Sequence, residues 1–267
     1  MNFKNFKFSL SSLLSLSLFL SLSFSLTACA PPRMNGLFQD PSFTYTSIQQ
    51  GGLAIGGVST SGTKPASPAL IAENSHYAEL FREGLINARP GISIMPAGDI
   101  AQTMGADYDK MMDYYAYRDV IAESDLNAIK AKTSHIRYVV FANIPTNTTS
   151  QSYNDGGDTL TYSTTRTITI SVKAYDLTNN QIVWSGSLSS MGANNNSYQT
   201  TAIKNPKNTT EDIVSSLVAG LEKDRIQKTG TYPRAPDSLP IVSQVFDGIG
   251  ENLPKPPKPT KNKKSPN

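Results

Sequence analysis

The sequence has very few of the side chains that disulfide bonds and metal sites require. It contains one cysteine and two histidines among 267 residues. A single cysteine cannot form an internal disulfide, so the folded part has to be stabilised by its hydrophobic core. The histidines, His76 and His135, have no paired spacing and no cysteine beside them, which excludes the usual zinc motifs. We therefore predict no metal site.

Motifs of common catalytic and nucleotide-binding sites are also missing. The sequence has no Gly-x-Ser-x-Gly nucleophile elbow and no GxGxxG dinucleotide motif. Gly56 and Gly57 are not followed by the Lys-Ser or Lys-Thr of a phosphate-binding loop, and close backbone packing explains them better. Asp155 and Asp158 lack the closing glutamate of a calcium loop, so a hairpin turn is the better interpretation. We predict no catalytic residue and no cofactor, and we expect that the protein is not an enzyme.

The excess of positive over negative charge lies at the two ends of the chain. The formal net charge is +3, but Lys4 and Lys7 open the sequence and five lysines lie in the tail after Glu251. The part between them is slightly acidic, so the electrostatic argument for nucleic-acid binding is lost and no nucleic-acid partner is expected. The tail, residues 251–267, is rich in proline and lysine and is predicted to be disordered.

One long hydrophobic run is present, and it lies at the N-terminus. A positively charged start precedes an apolar run from Phe8 to Leu26, which serine dilutes, and small residues follow it. This layout is typical of a secretory signal peptide, which we predict over residues 1–28. A membrane-spanning anchor helix is the alternative, because such a helix needs about 20 apolar residues.

The single cysteine directly follows that run. The spacing Leu26-Thr27-Ala28-Cys29 resembles the lipobox of bacterial lipoproteins, in which the cysteine is acylated and becomes the mature N-terminus. The resemblance implies lipid attachment at Cys29, with palmitate-type chains that together hold a protein durably on a membrane. Because Ala30 follows the cysteine where an aspartate would signal inner-membrane retention, the resemblance favours the outer membrane, with the protein facing the periplasm.

Residues 29–50 are predicted to be a lipidated flexible tether, because they combine Pro, Gly, Ser and Thr with scattered aromatic residues. Residues 51–250 are predicted to form one periplasmic α/β domain. Strands are predicted at Leu53–Val58, at 91–96 and at Arg137–Ile144, the last of them apolar throughout and so buried on both faces. Helical spacing predicts helices at Asn74–Asn87, 98–105, 107–116 and 124–132, the last capped by Ser124.

The second half of the domain begins with a predicted antiparallel hairpin. Apolar and polar residues alternate from Thr167 to Ala174, and the apolar face continues on a partner strand with Trp184, which we assign to the core. Two helices follow. The first is predicted to bury Ile213, Val214, Leu217, Val218 and Leu221; the second is predicted to start at a Ser238 cap and to bury Ile241, Val242, Val245, Phe246 and Ile249.

These elements predict an α/β (α+β) fold with a mixed sheet of about five strands in the order β-α-β-α-β-β-β, packed by helices, and two C-terminal helices. Two passages also resemble a known group of proteins: "PAGDIAQTMGADYDKMMDYYAYRDVIAESDLNAIKAKTSHIRYVVFANI" and "VKAYDLTNNQIVWSGSLSS". They are similar to a broad group of proteobacterial lipoproteins that share an α/β fold with the N-terminal domain of TolB, the periplasmic domain of CsgG, and LpoB. The resemblance covers roughly Leu53 to Leu221 and implies a fold, without any functional residue.

Two functions in that group can be compared with the sequence. CsgG forms a secretion pore from long hairpins, whose strands need about 9–11 residues with alternate apolar side chains. The corresponding region here, Pro145–Thr165, is almost entirely polar, so we predict a polar loop and no pore. LpoB acts at a distance on a long tether, whereas the tether predicted here is short; that role remains one possibility among several.

The leading hypothesis is a non-enzymatic outer-membrane lipoprotein that binds or assembles another envelope component, expected to be a protein, through an exposed edge strand or the polar Thr/Asn-rich loop. The alternative is an envelope protein that binds or cleaves peptidoglycan or another glycan. It would use the cluster from Asp99 to Tyr117, whose members are Asp99, Asp107, Tyr108, Asp109, Asp113, Tyr114, Tyr115 and Tyr117. A glycosidase needs two carboxyl groups about 5–9.5 Å apart across a cleft, and a single helix cannot form such a cleft.

Overall fold

A computed structural model of the chain describes residues 33–60, 67–156, 159–199 and 210–258, and the side chains of 210–216 are outside this description. The predicted signal peptide, residues 1–28, and the predicted lipid attachment site, Cys29, therefore lie outside the described residues. So do the last residues of the tail, 259–267. None of the helices in the described part is long and apolar enough to cross a membrane.

The described elements begin as alternating strands and helices, and three helices, three strands and two final helices follow the third strand. The strands are β1 (Asn35–Gln39), β2 (Leu53–Thr60), β3 (Ile94–Met95), β4 (Tyr138–Asp155), β5 (Thr159–Asp176) and β6 (Gln181–Gln199). The helices are α1 (Tyr45–Gly51), α2 (Pro68–Ala88), α3 (Ala97–Met104), α4 (Asp107–Arg118), α5 (Glu123–Lys132), α6 (Thr210–Thr229) and α7 (Ser238–Glu251).

All six strands belong to one mixed sheet in the order β1-β6-β5-β4-β2-β3. β4 and β3 flank β2 and run parallel to it, whereas β1, β6, β5 and β4 pair antiparallel. The predicted α/β class and the mixed sheet are confirmed. The described sheet has one strand more than the five expected from the sequence.

The additional strand lies in the segment that was predicted to be a tether. That prediction is wrong from Asn35 onward, because β1 pairs with β6 and α1 contributes a side chain to the hydrophobic core. Phe43 and Ile48 are fully buried, and the Phe43 ring meets the Tyr138 ring edge-on at 5.1 Å. Thr44 and Ser47 form a reciprocal capping box that starts α1. The hydrophobic anchors are single residues among polar ones, so composition alone suggested a flexible segment.

Helices cover the body of the sheet on both faces. One core contains side chains of α2 and α7, and there the rings of Phe81 and Phe246 stack at 4.8 Å. The other core contains side chains of α3, α4 and α5. β4 is buried on both faces from Tyr138 to Ile144, as its continuous apolar sequence predicts. Trp184 is fully buried, which confirms its assignment to the core.

Gly56 and Gly57 allow two aromatic side chains to lie directly against β2. A Cβ atom on Gly56 would lie 2.2 Å from the Phe141 ring. Gly57 has a φ of +152° at a register shift between β2 and β4, and a Cβ there would lie 2.5 Å from the Tyr108 hydroxyl. The interpretation of these glycines as close-packing positions is confirmed.

Several helix starts differ from the predicted ones. α2 begins at Pro68, six residues before the predicted Asn74, after a Ser67 cap that accepts the backbone N–H of Leu70. α5 begins at Glu123, so Ser124 is inside the helix and is not its cap. Ser238 is likewise inside α7, and its Oγ lies 3.3 Å from the Tyr77 hydroxyl. The prediction was wrong there because a serine favours a cap only where the chain direction places its oxygen over the first N–H groups.

The first residues of the predicted disordered tail are fixed to the body by Arg89. This guanidinium is only 5% exposed, and its Nη2 donates to the carbonyl oxygens of Glu251, at 2.7 Å, and Leu253, at 2.6 Å. Leu253 is itself buried. The disorder prediction is therefore wrong for residues 251–254, because a buried guanidinium needs acceptors and the chain after α7 provides them.

We expect Gly56→Ala to destabilise the fold by about 1–3 kcal/mol, since the new methyl group overpacks the Phe141 ring. Gly98→Ala is the matched control: a Cβ on Gly98 meets nothing within 4 Å, and in a helix alanine is favoured over glycine by about 1 kcal/mol. Urea unfolding of both variants measures the difference. Equal midpoints for Gly56→Ala and the wild type would contradict the packing argument.

The Arg137–Asp176 ion pair predicts a dependence of stability on pH. Burial by itself raises the pKa of Asp176, but hydrogen bonds from Arg137, at 2.7 and 2.9 Å, and from Thr178 outweigh burial and hold this pKa below 3.8. The pair therefore stabilises the fold above the unfolded-state pKa, and this contribution is lost as the pH falls through the lowered folded-state pKa.

Removing the guanidinium with Arg137→Gln leaves burial as the main influence and raises the pKa of Asp176. We expect a loss on the order of 1 kcal/mol at pH 7 and acid unfolding that begins at a higher pH than in the wild type. Urea unfolding between pH 7 and pH 3 tests this. Lys110→Gln, which removes an exposed pair with Asp107, is the control and should leave both quantities unchanged.

Candidate functional site

The predicted cluster from Asp99 to Tyr117 is divided by the structure. Tyr115 is fully buried against Phe141 at 5.4 Å between ring centres, and burial raises its pKa well above 10. Tyr114 and Tyr117 are exposed, by 45% and 70%, in other directions around α4. The tyrosines of α4 therefore do not form one common surface, because successive helix positions point to the core and to solvent in turn.

Three members of the cluster do come together, on the wall of a cavity of about 210 Å³. Tyr108, Asp109 and Asp113 line this cavity from α4, Ser59 and Thr60 from the end of β2, and Asn74 from α2. The Thr60 hydroxyl donates to the Asn74 side-chain oxygen at 3.1 Å. The sequence did not predict this site, since its members come from three segments that are far apart along the chain.

The cavity lies at the point where successive connections between strands change from one face of the sheet to the other. The connection from β2 to β3 passes through α2 on one face, whereas the connection from β3 to β4 passes through α3, α4 and α5 on the other face. Neighbouring parallel strands whose connections leave to opposite faces open a crevice at their carboxyl ends, and ligands of α/β proteins commonly bind there. We call it the switch-point cavity.

The described lining of the switch-point cavity combines apolar walls with carboxylates and hydroxyls. It includes no histidine, cysteine, lysine or arginine. Burial, and secondarily the charge of Asp109, raise the pKa of Tyr108 to about 12, so this phenol is neutral at physiological pH. Within the described residues, no group of three or more His, Cys, Asp or Glu side chains is arranged to hold a metal ion.

A buried polar network runs from the cavity wall into the sheet. The Ser59 hydroxyl donates to the Asn143 side-chain oxygen at 3.0 Å, and the Asn143 amide donates to Asp119 at 3.3 Å. Asp119, which has a left-handed backbone with φ 54°, also accepts from Ser171 and pairs with Lys173. A lone asparagine in the apolar run of β4 is the one feature of the sequence that indicates this network.

Beyond the body, β4, β5 and β6 continue together as a three-stranded ribbon, which we call the arm: residues 145–155, 159–167 and 189–199. The prediction of a polar loop at Pro145–Thr165 is therefore wrong. The threonine and tyrosine residues that recur in this region favour strands. The connection between β4 and β5 follows Asp155, where a hairpin turn was predicted.

One face of the arm, which we call the covered face, packs against α6. On the covered face, Leu160 and Tyr162 pack against Ile226 of α6, and the Tyr162 hydroxyl donates to the Ile226 carbonyl at 3.1 Å. The opposite face carries a row of half-buried hydroxyl side chains on β5, namely Thr161, Ser163, Thr165 and Thr167. On its two edges, β4 has no described neighbour beyond Ile144 and β6 none beyond Ser187.

The helix that covers the arm exposes much of its own apolar surface. Leu217, Val218 and Leu221 of α6 are 63%, 57% and 70% exposed. The prediction of a buried stripe is wrong for these three residues, because α6 packs on the narrow arm through Ile226. Ile213 and Val214, which belonged to the same predicted stripe, are outside the described side chains. In contrast, the predicted stripe of α7 is buried as expected.

No family model and no curated protein matches this chain. Among solved structures, it is similar to a lipoprotein from Neisseria meningitidis, with 14% identity, coverage of 66% of this chain and 97% of that chain, and a TM-score of 0.33. It is also similar to a PelC dodecamer from Paraburkholderia phytofirmans, with 12% identity, coverage of 79% of this chain and 94% of that chain, and a TM-score of 0.30. A third similar structure is the LpoB C-terminal domain from Salmonella enterica, with 10% identity, coverage of 55% of this chain and 92% of that chain, and a TM-score of 0.27. Likenesses at this level carry no argument about what this chain binds.

We expect Asn143→Leu to cost about 1–3 kcal/mol of stability, since it leaves the buried Ser59 hydroxyl and the Asp119 carboxylate with one partner fewer. Asn147→Leu makes the same change at an exposed position of the same strand and should have little effect. Urea unfolding compares the two. A smaller loss for Asn143→Leu than for Asn147→Leu would show that the network does not stabilise the sheet.

Proposed function

We propose that the protein is a lipid-anchored outer-membrane lipoprotein whose domain faces the periplasm and acts, without enzymatic activity, as a binding or assembly factor for another envelope protein. The binding role rests on the exposed apolar stripe of α6, which is defined by Leu217, Val218 and Leu221. The helix itself packs on the arm through Ile226. The anchor rests on the signal-like segment and on the lipobox-like residues that end at Cys29.

The stripe has the chemistry of a protein contact. Full burial of a leucine or valine side chain contributes about 1.5–3 kcal/mol, so covering these three neighbours on one helix would supply a substantial part of a binding energy. Contiguous apolar surface of this kind typically marks an interaction site. The described edges of the arm add rows of backbone N–H and C=O groups that can pair with an extended segment of a partner.

The glycan alternative receives less support from the structure. Sugar sites commonly stack a sugar ring on an exposed aromatic face, and the exposed Tyr114 and Tyr117 are outside the lining of the switch-point cavity. Tyr108 is the one aromatic residue of the described lining, and its hydroxyl lies against Gly57. The carboxylates Asp109 and Asp113 are neighbours on one helix and do not face each other across a cleft. We therefore retain protein binding as the proposed function.

The anchor is tested with the full chain and a Cys29→Ser variant in a Gram-negative host. We expect the wild type to be cleaved before Cys29, to carry acyl mass, and to fractionate with the outer membrane, whereas the variant is not acylated. Mass spectrometry of the mature N-terminus and membrane fractionation measure both properties. A wild type that stays uncut and unacylated would make the first segment a plain anchor helix and overturn the lipoprotein assignment.

The binding role is tested with a photo-reactive amino acid in place of Leu221 in living cells. The control position is Leu239 of α7, which is 44% exposed on a different helix. We expect a discrete envelope-protein adduct from position 221 that is absent at 239 and is lost when Leu217 is replaced by serine. Identical adduct patterns at the two positions, or none at 221, would contradict a binding surface on α6.

A further inference from the structure

We propose that the switch-point cavity binds a small amphipathic cation, meaning an apolar body about the size of one aromatic ring that carries a protonated amine. This site is separate from the arm and from α6, so it does not depend on the proposed function. The cavity is formed by α2, α3, α4 and the carboxyl end of β2. Its size, its walls and its charge each restrict the ligand.

The size of the cavity admits a small molecule. Its volume is about 210 Å³, whereas an engineered apolar cavity of about 150 Å³ in another protein is known to take up benzene. One aromatic ring with a short polar arm therefore fits inside the cavity. The cavity is open on one side, so that a charged group of the ligand can remain near water.

The walls of the cavity match an apolar body. Val58, Leu70, Ile71, Ala78, Ala101 and Met112 are among the lining residues. The alanines on α2 and α3 leave the space free that larger side chains would fill. Ser59, at 2% exposure, is the deepest polar group of the lining, and its hydroxyl already donates to Asn143. A bound polar group can therefore donate a hydrogen bond to the Ser59 oxygen.

The charge of the lining selects a cation. Asp109 and Asp113 are one helical turn apart on α4, and no ion pair or hydrogen bond involves either side chain among the described residues. Like charges at this spacing repel each other, and a cation between them relieves the repulsion. Glu79 also lines the cavity, but Arg82 lies 3.6 Å from it and partly neutralises it. The described lining contains no basic side chain that could bind an anion.

The neutral partners suit an ammonium group as well. The side chain of Asn74 lines the cavity, and its oxygen, which accepts from Thr60 at 3.1 Å, has a second lone pair that can accept another hydrogen bond. The phenol of Tyr108 stays protonated at physiological pH and adds no charge of its own. A primary amine, with three N–H donors, can therefore contact Asp109, Asp113 and Asn74 together, which a quaternary amine cannot do by hydrogen bonding.

The test uses the purified mature protein in detergent and three probes that share one phenyl ring: phenethylamine, phenethyl alcohol and phenylacetate. Isothermal titration calorimetry measures binding, and two-dimensional NMR of methyl groups locates it at Val58, Leu70 and Met112. We expect phenethylamine to bind at least tenfold more tightly than either of the other probes. Equal binding of phenylacetate, or methyl shifts outside the cavity, would overturn the proposal.

Substitutions at exposed positions separate the site from a general charge effect. We expect Asp109→Asn and Asp113→Asn each to weaken phenethylamine binding by about threefold or more, and the double variant by about tenfold or more. Asp107→Asn removes the same charge from the same helix outside the lining and should leave binding unchanged. An equal loss with Asp107→Asn would show that the helix attracts cations only through its net charge, and would overturn the site.

A second variant tests the cavity itself. Ala101→Leu adds apolar volume to the wall without changing charge, and we expect it to abolish phenethylamine binding while the thermal unfolding temperature stays within a few degrees of the wild type. If the variant folds and still binds as tightly as the wild type, the ligand does not enter the cavity. Absence of binding by the wild-type protein to all three probes would likewise overturn the proposal.

Discussion

The close packing of β4 against β2 is the constraint on which the rest of the structure depends. Phe141 occupies the space where a side chain at position 56 would be, and Tyr108 and Met112 occupy the corresponding space at Gly57. Two aromatic rings can therefore lie directly on the sheet backbone, and α4 approaches β2 closely. This approach defines one wall of the switch-point cavity, and the parallel register of β2 and β4 places Ser59 beside Asn143. A sheet with ordinary side chains at these two positions would keep the helix at a distance.

The long strands serve two different environments. Up to Ile144, β4 is buried on both faces; beyond it the strand is exposed. Backbone hydrogen bonds continue throughout, but in water their net contribution is small, on the order of 1 kcal/mol each. The arm therefore depends on its covered face, where Tyr162 contacts Tyr153, Tyr198 and Tyr232 at 5.1–5.8 Å and holds the end of α6. The contacts of Tyr162 therefore stabilise the arm and also hold α6, the helix whose leucines are exposed.

Much of the body could be predicted from local patterns. The buried run of β4, the alternation in β5, the core position of Trp184 and the stripe of α7 all follow from which residues are apolar and at what spacing. The elements that were missed lack that signal. β1 is exposed along its whole length, and the arm is polar on most positions, so neither shows a periodic apolar face. Their strand structure comes from pairing with a neighbour, which a local pattern does not record.

The sequence by itself determined the class of fold, most of the helices and strands of the body, and the presence of one cysteine after an apolar run near the N-terminus, because these depend on residues that are close together in the chain. The tertiary structure alone decided that Thr60, Asn74 and Asp109 meet at one cavity, that Arg89 holds the chain after α7, and that α6 turns its leucines to solvent. Such long-range contacts depend on the face of the sheet that each connection crosses and on the width of the sheet surface against which each helix packs. Those quantities are set by the packing of the whole domain.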